Sequence, residues 1–207
     1  MRTLTMTLAA IAGCGLLFLT GCAVNTARDL VARGSAVNKS WGRTILVCRI
    51  NPSDASESGR EKVARIIKRV EEALDGQPGV TRLPEEALTS RLSGRSPVSL
   101  SDGELAAAAL DAGADTVLVV QVLGYAGELT ISLVPPFWST GTQFAYHARA
   151  IDARTGSLYL DAHRGRKKGG AFTAHGRDEL DRDFTADLSA LFKAAKPDAP
   201  AAVGEGS

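Results

Sequence analysis

The sequence predicts an α/β fold of the α+β variety: one domain, a central mixed sheet with an antiparallel carboxy-terminal hairpin, and helices packed on the sheet. Three observations predict it. Two apolar, β-branched runs, TILVCRI at 44–50 and TVLVVQVL at 116–123, have the length and composition of buried strands. Between them lie segments of helical periodicity, as in a crossover connection. Beyond them the hydrophobic period drops to two, over 142–153 and 157–165, on either side of Asp152-Ala153-Arg154-Thr155-Gly156.

The first core strand, Thr44 to Ile50, stops at Asn51-Pro52. In SGREKVARIIKRVEEALDGQPG, residues Val63, Ile66, Ile67, Val70 and Leu74 recur at helical spacing, with Ser58 and Glu61 resembling a capping box and Gly76 a stop. The opposite face of this helix is charged and reads as solvated. Val80–Leu83 is a short strand candidate, and Pro84 opens a short helix to about Arg91. SGRSPVS reads as a loop. Ser101 and Glu104 form a second capping box before ELAAAALDAG, whose alanines allow close packing on a sheet. After the strand from 116, Leu129 to Val134 continues extended, and VPPFWSTG reads as a loop.

In the hairpin, one face holds Phe144, Tyr146, Ala148 and Ala150 with Leu158, Leu160 and Ala162, and is assigned to the core. The other holds Gln143, His147, Arg149, Tyr159, Asp161 and His163. Pairing Ala153 with Ser157 sets Arg149 opposite Asp161 and His147 opposite His163; a shift of one pair sets His147 against Asp161. A final helix carries the stripe Leu180, Phe184, Leu188, Leu191, Phe192.

The amino terminus is of a different kind. A weakly positive start, Met1-Arg2-Thr3, precedes an uncharged apolar run from Leu4 to Leu19, too short and poorly flanked for a spanning helix. Leu19-Thr20-Gly21-Cys22 resembles the lipobox of bacterial lipoproteins: an aliphatic residue, two small residues, then cysteine. The resemblance implies cleavage before Cys22, a diacylglyceryl group on its sulphur and, in many bacteria, a third chain such as palmitate on its amine. Ile11-Ala12-Gly13-Cys14 has the same form. Cleavage there leaves a hydrophobic region of about eight residues, at the lower end of the usual range, and an apolar stub GLLFLT on the product. Cys22 is the expected lipidation site. Two or more acyl chains anchor stably where one does not. Ala23 rather than aspartate follows it, which by the same resemblance implies the outer membrane with the body facing the periplasm.

The expected organisation is residues 1–21 as lipoprotein signal peptide, 22–43 as lipidated tether, 44–193 as periplasmic α/β domain and 194–207 as a tail disordered by composition. The stretch from Val24 spans at most about 70 Å if fully extended, less if ARDLVARG forms a helical turn.

Removing 1–21 takes Arg2 and no acid from 24 basic and 23 acidic residues, leaving 23 of each. That balance argues against a nucleic-acid binder. Of three cysteines, only Cys48 stays as a free thiol once Cys14 leaves and Cys22 is acylated. An intrachain disulfide, a CxxC pair and a cysteine zinc cluster are thereby excluded. Cys48 reads as a small buried hydrophobe.

No GxSxG, P-loop or GxGxxG is present, so catalysis is not expected, and neither is a cofactor. Asp178, Asp181, Asp183 and Asp187 are expected to serve a helix amino terminus and solubility. His147, Asp161 and His163 are weak candidates for metal ligands; no recognised ligand spacing supports them. Two segments read as interaction surfaces. Phe137 and Trp138 are candidate partner-binding residues, either exposed or folded back onto the core. Arg164, Arg166, Lys167 and Lys168 form a candidate anionic-ligand loop for lipid headgroups or peptidoglycan, or else a solvated loop.

The element order, with Gly-Ala-Asp entering a strand and the D-x-x-T-G hairpin, resembles periplasmic α/β domains of the CsgG, TolB amino-terminal and LpoB type over roughly residues 44 to 193. It implies binding or assembly rather than catalysis and transfers no functional residue. The expected function is a lipid-anchored, periplasm-facing, non-catalytic binding or assembly module for another envelope protein. The alternative is a structural envelope-maintenance lipoprotein that contacts lipid or peptidoglycan through the basic loop. A metal-dependent enzyme stands third.

Overall fold

In a computed structural model, residues 24–32, 41–50, 57–133, 136–170 and 173–195 are described. They form β1 (Val24–Ala32), β2 (Gly42–Ile50), α1 (Glu57–Asp75), β3 (Val80–Leu83), α2 (Glu85–Thr89), a 3-10 turn (Pro97–Ser99), α3 (Asp102–Asp111), β4 (Thr116–Leu133), β5 (Pro136–Asp152), β6 (Leu158–Gly169) and α4 (Arg177–Ala195). One six-stranded mixed sheet has the order β1-β6-β5-β4-β2-β3. β2 is parallel to β3 and β4, and the other neighbours are antiparallel. The expected α/β architecture is the observed one.

The two apolar runs pair directly, Thr44 to Ile50 against Thr116 to Val122. Both faces of this pair are covered. On one, α1 and α4 pack on each other and on the sheet, closing a core of Ile66, Val70, Leu74, Phe184, Leu188 and Phe192 over Leu118, Val120 and Tyr146. On the other, α2 and α3 cover Ile45, Val47, Val117 and Val119 through Leu88, Leu105, Ala106 and Ala109. The alanines bring α3 close, and its capping box is formed: the Glu104 amide donates to the Ser101 hydroxyl at 3.4 Å while the Ser101 amide donates to the Glu104 carboxylate at 2.9 Å.

Several expectations are corrected. α1 starts at Glu57, so Ser58 lies within the helix and is not its cap. ARDLVARG is not a helical turn: Val24–Ala32 is an edge strand, antiparallel to β6 from Val24↔Gly169 to Ala32↔Asp161. The domain therefore begins about twenty residues earlier than the hydrophobic pattern indicates. The hairpin carries a bulge, because Ala150 pairs with Leu160 but Ile151 with Leu158. The extra residue turns Tyr159 into the first core, edge-on to Trp41 at 5.8 Å, and sends Leu158 to the second. Gly156, at φ 69°, closes the turn, where the Asp152 carboxylate accepts from the Arg154 amide at 2.8 Å. No helix among the described residues is long and apolar enough to cross a membrane.

Candidate interaction surface

β4 and β5 outrun the rest of the sheet. Their pairing continues from Tyr125↔Phe144 to Leu133↔Pro136, whereas β6 ends at Gly169, one residue past the Thr142↔Lys168 pair. Beyond Glu128↔Gly141 the two strands form an arm of their own. Its root is tied down. The Thr140 amide donates to the Thr173 carbonyl at 2.8 Å, and the His175 amide to the Thr140 carbonyl at 3.1 Å. Gly141 is needed there, since a Cβ would lie 2.8 Å from the Lys168 carbonyl oxygen.

Strand alternation decides what the arm presents. Tyr125 and Phe144 point into the first core, so Gly127, Leu129, Ile131 and Leu133 follow on the same face. The helices that cover this face in the body do not cover it here. Leu129, Ile131 and Leu133 are 65%, 66% and 83% exposed, and Trp138, opposite Ile131, is 49% exposed. From Leu129 to Gly141 the chain carries no charged residue. The result is an apolar stripe on a projecting hairpin. The segment VPPFWSTG is largely strand rather than loop. Trp138 is on the surface, while the side chain of Phe137 lies outside the described part of the structure. Leu129, Ile131 and Leu133 were not singled out from sequence, because LTISL alternates as any half-buried strand does.

At the root of the stripe lies a recess lined by Lys62, Arg65, Gly127, Thr142 and Arg177, so basic side chains from α1 and α4 flank the place where the arm leaves the body.

The basic run is strand as well, and its alternation splits it. Arg164, Arg166 and Lys168 face α4, where Arg164 approaches Asp187 at 3.4 Å, Arg166 binds Asp187 and Asp29 at 2.9 Å each, and Lys168 pairs with Asp183 and Glu179. Lys167 points the other way and pairs with Glu128 at 2.9 Å. The Arg166 hydrogen bond holds the Asp29 carboxyl below its usual range, and the Asp183 hydrogen bond raises the Lys168 ammonium. These cations fasten α4 and β1 to β6. The helix acids accordingly do more than serve a helix end: Asp181, 4% exposed, accepts from the Tyr125 hydroxyl and lies 3.4 Å from both Arg65 and Arg69.

His147, Asp161 and His163 are brought together on the face that α3 leaves open. Both expected cross-strand pairs form, His147↔His163 and Arg149↔Asp161. The imidazoles stack at 3.7 Å, and His147 Nε2 lies 2.6 Å from Asp161. Arg149 turns away to Asp102 at 2.6 Å. One ligand atom from each of the three lies within 4.8 Å of the others, a set able to hold a divalent cation after side-chain rotation. Cys48 is buried in β2, and burial pushes its thiol up to about 12. Cys22 lies outside the described residues.

No family model and no curated protein matches this chain. Solved structures do. It is similar to the PelC dodecamer from Paraburkholderia phytofirmans, at 15% identity and a TM-score of 0.43, over 85% of this chain and 100% of that one. It is similar to the lipoprotein GNA1162 from Neisseria meningitidis, at 16% identity and 0.44, over 73% and 99%. It is also similar to the LpoB C-terminal domain from Salmonella enterica, at 19% identity and 0.34, over 64% and 85%.

Proposed function

We propose that this chain is a lipid-anchored envelope protein, held in the outer membrane by acyl groups on Cys22 and facing the periplasm, that acts as a non-catalytic binding or assembly module. The observation that carries the reading is the apolar stripe of Leu129, Ile131, Leu133 and Trp138 on the β4–β5 arm. Apolar side chains aligned on a projecting element have no role in the protein's own core, and Trp is prominent among residues that dominate contacts.

The stripe also outweighs the basic run as a contact surface. Arg164, Arg166 and Lys168 are matched by carboxylates of α4 and β1, and Lys167 by Glu128, which leaves little charge to offer lipid or peptidoglycan.

The experiment is a variant with serine at all four stripe positions. It should be lipidated and fold as the parent does, yet lose the envelope contacts that the parent makes, read as adducts from a photo-reactive residue placed at Arg177, exposed in the recess at the root of the stripe. Undiminished adducts would show that the arm is not the contact surface.

A further inference from the structure

The arm and the amino terminus lie at one end of the molecule, and that places a specific occupant on the stripe. β1 runs antiparallel to β6, so Val24 sits beside Gly169. β6 runs antiparallel to β5, so Gly169 sits just beyond Thr142, where the arm starts. Val24 is thus two strands away from the root of the arm, about 10 Å sideways. Only Ala23 separates it from Cys22, and these two residues span at most about 7 Å whatever conformation they take. From the level of Gly141 to Leu133 the arm extends about 17 Å in the same direction. With the strands upright on a bilayer, an anchor on Cys22 is therefore too short to keep the tip of the arm clear of it.

We infer that the apolar stripe of Leu129, Ile131, Leu133 and Trp138 lies in the phospholipid leaflet to which Cys22 is attached, and so fixes the orientation of the domain on the membrane. The inference rests on the lipid anchor proposed above and names what the stripe contacts. The chemistry of the arm agrees with its position. A surface element seats its apolar face roughly 5–10 Å into the headgroup and acyl boundary, which the arm can reach and the body cannot. No charged side chain from Leu129 to Gly141 has to be desolvated. Trp138 belongs to the residue type that collects at that boundary. Lys62 and Arg177, in the recess at the root, come to headgroup depth, where lipid phosphates complement them. The depth stays interfacial, since a two-stranded arm has edge amides and carbonyls that the hydrocarbon centre would leave unpaired.

The test uses the mature full-length chain anchored to phosphatidylethanolamine and phosphatidylglycerol vesicles through Cys22, by its own acyl groups or by coupling the Cys22 thiol to a maleimide lipid. Tryptophan emission is compared in ordinary and brominated phospholipid. Trp41, 2% exposed in the core, is the internal reference. Trp138 emission should fall about twofold in lipid brominated near the headgroup, and W138F should abolish the difference. Equal emission in the two lipids would overturn the inference, as would undiminished quenching in a variant carrying L129S, I131S and L133S. The same residues are then probed in growing cells with a photo-crosslinker at position 131. Lipid adducts are expected, and one dominant protein adduct would overturn the inference by making the arm a protein-docking element. The maleimide anchor works without native acylation, so absence of acyl groups on the native chain refutes the anchor alone, whereas absence of quenching on anchored protein refutes the seated arm alone.

Discussion

Asp181 shows how much a single residue can tie together. It sits at 4% exposure between α4, which carries it, the arginines of α1 and the hydroxyl of Tyr125 on β4. Burial beside this carboxylate raises the Tyr125 phenol above its ordinary range, so it stays a donor at any physiological pH. Asp181→Asn removes the charge that both arginines face and should cost about 2–4 kcal/mol, read as a lower urea midpoint with an unchanged slope. Cys48 makes the opposite kind of prediction. Its thiol is buried and pushed up to about 12, so a maleimide should leave Cys48 untouched in the folded protein and modify it fully in denaturant. Both residues bear on what sequence can reveal. Cys48 was legible as a buried strand residue because it lies in the predominantly apolar, β-branched run TILVCRI. Asp181 was not, since an acid in the first turns of an amphipathic helix looks like a solubilising or dipole-matching residue; only the tertiary approach of α1 and β4 gives it its partners.

Among the elements, α3 owes its start to Ser101 and Glu104. The Ser101 amide, Arg95 and the Ser101 hydroxyl hold the Glu104 carboxyl down to about 2, from an ordinary 4.5. A carboxyl lowered on folding stabilises fully above its unfolded value, and that contribution disappears as pH falls from 4.5 towards 2. Glu104→Gln should therefore lower stability at neutral pH and flatten the acid limb of the unfolding curve between those values. The arm behaves differently. Its stripe faces no helix, so serine at Leu129, Ile131 and Leu133 should shift the thermal midpoint by less than about 2 °C, while abolishing contacts made through it. β6 and the arm mark where reading by element ran out. The hairpin register was legible from alternation, down to His147 against His163. The bulge at Tyr159 was not, because a bulge leaves no compositional mark here. The strands that replaced the two expected loops, at 136–140 and 166–169, carry prolines, glycines or runs of charge that score as turns. Neighbouring strands make them extended, and local sequence does not contain those neighbours.

At the scale of the molecule, the sheet order puts the chain's amino-terminal strand at one edge and its most projecting hairpin at the same end. The core was legible because buried strands and amphipathic helices leave strong periodic signals. β1 was not, since an edge strand with Leu30 71% exposed carries no apolar pattern. Its discovery removes most of the expected tether and draws the domain against whatever Cys22 is attached to. The membrane-seated arm inferred above follows from that shortening.

The attachment itself is the claim to test most directly. Intact and peptide mass analysis of the native protein, extracted from bacterial membranes, should show a mature chain that begins at Cys22 and carries diacylglyceryl and acyl groups. A chain that begins elsewhere, or one whose Cys22 is unmodified, would contradict the lipid anchor and the outer-membrane location together.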